Sequence, residues 1–228
     1  MKYRLGKSLL HYGKSACILL LISGISLRIY AHVVVGELEK MSKTDVGLVY
    51  LKLGYQHILP FGLDHILFVL CLLLLSPGLK PVLWQTTAFT IAHSVTLGLT
   101  IYHVITPPER IVEPVIALSI MYVALENIYS GRLKTSRIGV VFLFGLVHGM
   151  GFAGALGQLG LPRDAYLISL IMFNAGIELG QLTIILTAYF LLARWLGNKP
   201  YYPTHIVIPL SVVITIIAGY WTVERLFL

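Results

Sequence analysis

Six apolar runs, each near the roughly 20 residues a helix needs to cross about 30 Å of hydrocarbon, constrain this 228-residue chain more than any other feature. They fall at about 47–76, 82–102, 111–130, 138–157, 165–194 and 205–224. Backbone polar groups in lipid must be satisfied within each segment. The expected fold is therefore all-α: a polytopic helical membrane protein with six transmembrane helices behind an N-terminal signal peptide. Composition agrees, since only 12% of residues are charged against about 25% in soluble proteins.

The formal charge of +7 would suggest a nucleic-acid partner if it were spread over the chain. It is not, because Lys2, Arg4, Lys7, Lys14 and Arg28 all precede residue 32 with no acidic residue among them. The remainder is close to neutral, so no nucleic acid is expected. A basic start, an apolar stretch from Ala16 to Leu27 and a candidate cleavage site at Ile29-Tyr30-Ala31, part of the usual signal pattern, predict a cleaved signal over 1–31. An uncleaved first transmembrane helix is the alternative. Cleavage would leave His32 as a mature N-terminus, with a speculative metal-chelating amine and imidazole, and 32–46 as a short extracytoplasmic tail before a transmembrane domain at 47–228. Cys17 and Cys71 supply neither a disulfide framework nor a thiolate metal motif.

Loop charge sets an orientation. Lys80, then Arg132, Lys134 and Arg137, then Arg194 and Lys199 lie in alternate loops, with only Arg110 and Arg163 in the loops between them. That bias puts the first set in the cytoplasm and the mature N-terminus in the periplasm, as in a multi-pass protein of the bacterial inner membrane. Tyr102, Tyr129, Trp195, Tyr201, Tyr202 and Trp221 fall at the predicted span ends, where interfacial aromatics belong.

Within this apolar background the stretch His57 to His65, HILPFGLDH, carries two histidines and an aspartate. Ionisable groups at such depth cost roughly 2.5 to 3.5 kcal/mol each and usually face a partner, an ion or a cavity. Pro60 removes an amide donor and frees the carbonyl of Gln56, and Gly62 loosens the next turn. On a straight helix His57 and Asp64 would lie about 10.5 Å apart along the axis. They therefore read as successive stations, His57 above the other, unless the break draws them together.

Counting inward from the span ends puts Asp64, His65, His93, His148, Asn174, Glu178 and Gln181 at one depth. Asn174, Glu178 and Gln181 form one stripe at i, i+4 and i+7, while His93 shares a face with Thr96 and Thr100 beside Ser94. Glu126 and Asn127 lie near the inner end of the third span and Glu113 near its outer end, within reach of interfacial water. His103 and His205 fall at span ends and read as interfacial. Any one intramembrane histidine can be a helix-to-helix hydrogen bond; several with carboxylates at one level point to an ion or proton site. Histidine and carboxylate without thiolate suit nickel, cobalt, zinc, iron or manganese better than copper(I).

The chain lacks a nucleotide-binding glycine loop, an HExxH helix and a GxSxG elbow. The glycines of HGMGFAGALGQLG, His148 to Gly160, follow the small-residue rhythm of close helix packing in lipid. No organic cofactor is expected.

Five segments, GYQHILPFGLDHILFVLCLLLL (54–75), AFTIAHSVTLGL (88–99), EPVIALSIMYVALEN (113–127), FGLVHGMGFAGAL (144–156) and FNAGIELGQL (173–182), resemble, in order, the HupE/UreJ family of small bacterial membrane proteins. Its members are generally regarded as secondary permeases for nickel or cobalt, associated with hydrogenase and urease metallation. The resemblance implies His57, Asp64, His65, His93, His148 and Glu178 as the positions that meet the metal. The histidine seven residues before the aspartate, with proline between them, resembles a second branch of the family, where a substrate other than nickel stays open.

The leading expectation is a secondary transporter moving a divalent transition-metal ion from periplasm to cytoplasm. His57 would receive the ion, with Glu126, Asn127, Asn174, Gln181, Glu113, Ser94 and Thr96 along the path or behind the ligands. An intramembrane metal-dependent hydrolase using the same cluster, with Glu178 or Asp64 as base, is the alternative. A metal sensor or chaperone-like partner using His32 is a third. The lipid bilayer and the metal ion are the expected partners; a homo-oligomer and a periplasmic or outer-membrane metal-delivery partner fit the same reading.

Overall fold

The computed structural model describes residues 38, 40–131, 133–159 and 163–227. The expected signal segment and His32 lie outside the described residues. Helix α1, Lys43–Ile58, starts where Ser42 accepts a hydrogen bond from the Asp45 amide at 3.2 Å, a side-chain cap on an otherwise orphan donor. It begins four residues before the expected span. Helix α2, Leu63–Leu75, follows after a four-residue break, and the two are bent by 68°. The first long apolar run is therefore a broken pair, and the break falls at the expected Pro60 and Gly62. The Gln56 carbonyl is not left free there, because the Phe61 amide donates to it at 3.4 Å.

Helix α3 is Leu79–Ile101, and α4 is Glu109–Ser130, which stops at Gly131 with φ +57°. Helix α5 is Arg137–Leu159. Helix α6 runs Tyr166–Leu196 through a π-helical turn at Tyr189–Ala193, and α7 runs Pro203–Phe227. No strand occurs among the described residues, so the protein is all-helical.

Three helices, α4, α6 and α7, are long and apolar enough to cross a membrane, and a fourth span is counted if the bent α1–α2 pair acts as one. Helix α3 has 23 residues, but Gln85, Thr86, Thr87, Thr90, His93 and Ser94 dilute its apolar character. In α5 the qualifying apolar stretch is the shorter Arg137–Phe152.

The helices associate chiefly as three pairs, α1 with α6, α3 with α5 and α4 with α7. Helix α2 pairs with none of these partners so closely and runs through the centre. Val69 and Leu73 join one hydrophobic cluster with α1 and α6, while Phe68, Cys71, Leu72 and Leu74 join a second with α4 and α7. A helix apolar all round belongs in such an interior. Exposed Trp84, Leu143, Leu167, Leu191 and Ile216 leave outward faces apolar, as lipid contact requires.

Small residues set the pair spacing, as their rhythm in the sequence predicts. A methyl group on Gly149 would overlap the His93 carbonyl, and one on Gly145 would lie 2.5 Å from the Phe89 carbonyl. Tyr102, Tyr129, Trp195 and Tyr201 are exposed at helix ends. Tyr202, expected among them, is 3% exposed, and burial pushes its phenol up to about 12.

Candidate metal centre

The break between α1 and α2 decides the geometry of the centre. It turns α2 back so that the His65 ring stands 4.8 Å from the His57 ring, edge to face. Gly62 permits the turn, since a side chain there would strike the His57 carbonyl. From α3, His93 reaches the same point, with ring centroids 6.2 Å from His57 and 5.9 Å from His65. One ring nitrogen from each of the three histidines lies within 4.8 Å of the others. Nitrogens of a tetrahedral site are about 3.4 Å apart when bonds are about 2.0–2.1 Å. Side-chain movements on the order of 1 Å would close the set.

The chemistry of these atoms fits a cation. His57 Nε2, His65 Nε2 and both ring nitrogens of His93 are buried and have no hydrogen-bond partner among the described residues. Buried polar atoms are ordinarily paired, and three imidazoles with orphan nitrogens, each offering one nitrogen to the same point from a different helix, are what a borderline metal ion would satisfy. Aromatic rings close the surroundings: Phe152 lies 3.8 Å from His57, Phe89 is 5.8 Å from His65, and Phe173 stacks on Phe152. These rings limit water around the nitrogens.

His148 borders the group, 5.2 Å from the His65 ring, but one of its nitrogens is committed. Its Nε2 is 2.9 Å from Ser119 Oγ, leaving only Nδ1 unpaired. Asn174 stands beside His93 without a hydrogen bond of standard geometry, its Oδ1 unpaired. The rest of that α6 stripe faces α3, with Glu178 accepting from Thr87 at 3.4 Å and Gln181 from Thr90 at 3.0 Å. The hydroxyls expected near His93 donate to carbonyls of their own helix. Thr96 donates to the carbonyls of Ala92 and His93, and Ser94 to that of Thr90 at 2.6 Å, as such residues do in helix interiors.

Asp64 does not join the histidine group. Arg225 of α7 holds it, with Nη2 at 3.1 Å from both carboxylate oxygens. The same guanidinium takes Glu113 through Nη1, 3.3 Å from Oε2, so Glu113 is paired and not merely solvated. Glu126 and Asn127 belong to a second network around Arg137, which is fully buried. Arg137 lies 3.3 Å from Glu126 Oε2, donates twice to Asn127 Oδ1 at 3.1 Å and also reaches the Cys71 carbonyl. His103 and His205 are exposed.

Sequence reasoning missed Arg225, Arg137 as a buried residue, and Ser119. Arg225 had one visible signal, a lone cation at the end of the last span, one turn after Trp221. An apolar crevice of about 210 Å³ bounded by α2, α6 and α7 contains none of these groups.

A helical membrane protein with a histidine group able to hold a metal ion between three helices is thus the class defined by fold and site. The chain belongs to the HupE / UreJ protein family, which matches it over residues 35–225. No curated protein and no solved structure matches it.

Proposed function

We propose that the protein is a membrane permease for a divalent transition-metal ion, nickel, cobalt or a similar one, with the ion as its substrate. The carrying observation is the convergence of orphan nitrogens from His57, His65 and His93 in a water-poor interior. Neutral imidazoles bind such ions and release them when the geometry loosens or a proton competes, which transport requires. In this reading six helices span the bacterial inner membrane behind a cleaved signal, and the ion passes from the periplasm to the cytoplasm. Asp64 and Glu113 lie on its approach, and Glu126 lies on its exit.

Membership of the HupE / UreJ family supports metal handling. The hydrolase reading needs a free carboxylate base beside the ion, and one of its two candidates, Asp64, is engaged by Arg225. Uptake of nickel(II), cobalt(II), zinc(II), iron(II) and manganese(II) into proteoliposomes tests the proposal. Absence of protein-dependent flux for all five would remove it.

A further inference from the structure

Helix α4 works as a ruler for the interior. It carries Glu113, which meets Arg225; six residues on, Ser119, which meets His148; and seven and eight residues beyond that, Glu126 and Asn127, which meet Arg137. At 1.5 Å per residue the histidine level is about 9 Å from the first network and about 10–12 Å from the second. The two arginines therefore bracket the candidate site.

They are not alike. The Arg137 side chain is 0% exposed and is tied to α2 and α4, whereas those of Arg225 and Asp64 are 22% and 24% exposed and that of Glu113 is 41%. Arg225 also has a contact that does not depend on the carboxylates, since its guanidinium carbon already lies 5.4 Å over the Trp221 ring. A guanidinium bound to two carboxylates is a cation occupying a cation's place. Asp64 is the chain neighbour of His65, so the carboxylate that Arg225 holds and a histidine of the group are set by the same turn of α2.

We propose that Arg225 is a tethered competitor for the incoming metal ion, a positioning residue that occupies Asp64 and Glu113 until a divalent cation displaces its guanidinium from them, leaving it held by the Trp221 ring. The inference rests on the permease reading of the same site. Arg225 would set the affinity on the Asp64 side low enough for the ion to move on to the histidines, and it would disfavour monovalent ions too weakly attracted to displace it. Removing its charge should tighten divalent binding and slow release, a combination that a purely structural ion pair would not produce.

The test compares wild type, Arg225→Gln, Arg225→Lys and the double variant Arg225→Gln/Asp64→Asn, full-length and in detergent. Equilibrium binding of nickel(II), cobalt(II) and zinc(II) is measured first, then uptake into proteoliposomes. Arg225→Gln should bind at least one of these ions about 5-fold more tightly, the scale of one like charge removed at a few ångströms in a partly hydrated setting. Its KM should fall with its kcat. Arg225→Lys, which keeps the charge but not the fork that spans both carboxylates, should fall between wild type and Arg225→Gln, and it decides the matter if Arg225→Gln does not fold. The double variant should lose the gain.

Unchanged or weaker binding in Arg225→Gln, or in Arg225→Lys where that variant decides, overturns the role of Arg225. Wild-type vesicles without flux overturn the permease reading, while the binding comparison still judges Arg225. A protein that binds none of the three ions in any form overturns both.

Discussion

The His57 and His65 rings face each other edge to face at 4.8 Å across the break at Pro60, although they lie on two helices bent by 68°. Neither ring has a hydrogen bond on Nε2 among the described residues. Replacing either histidine by alanine should weaken divalent-metal binding by more than the 10- to 100-fold seen when a ligand's outer support is removed. Elemental analysis of purified protein beside a cobalt(II) titration reads this directly. A metal load equal to wild type in both variants would exclude these rings as ligands.

Gly149 lies against the His93 carbonyl and the Thr96 hydroxyl. Alanine at 149 must push α3 from α5, at a cost of about 1–3 kcal/mol for an overpacked interior. Because α3 carries His93, metal affinity should fall together with the thermal midpoint in detergent. Loss of stability with unchanged affinity would separate helix packing from the site.

The part of the interior that is legible in the sequence is the part that counting along a helix can measure. Depth counting brought His65, His93 and His148 to one level, and Pro60 with Gly62 marked the break. It could not measure rotation about the helix axis, which side-chain packing sets. Asp64 and His65 are adjacent in sequence, yet one turns to Arg225 and the other to His57. Thr96 looked like a companion to the His93 ring, but its hydroxyl satisfies its own helix. Arg137 counted as a loop cation because hydropathy registers charge and overlooks the Glu126, Asn127 and Cys71 groups waiting across the interface.

Arg137→Met should destabilise the fold by about 3–5 kcal/mol, the penalty for leaving a buried partner charge without its counterion. The stranded group is Glu126, so adding Glu126→Gln should restore part of the loss. Denaturation in mixed micelles gives both values. If the double variant is no more stable than Arg137→Met, the hydrogen bonds to Asn127 and Cys71 carry the effect instead.

Ser119→Ala removes the 2.9 Å partner of His148 Nε2. Interhelical hydrogen bonds in membrane proteins average about 0.6 kcal/mol, so unfolding should shift only slightly. The freed nitrogen should change metal binding more than stability. A cobalt(II) absorption spectrum identical to wild type would place His148 outside the ion's reach.

The three tightly packed pairs carry a mechanical consequence. His57 is carried by the α1–α6 pair, His93 and His148 by the α3–α5 pair, and His65 by the central helix between them. No single unit owns enough nitrogens to keep an ion. On the permease reading, grip would be a property of posture: the pairs would hold cargo only while docked, and a slip of a bond length or two between them would let it go without any ligand having to change.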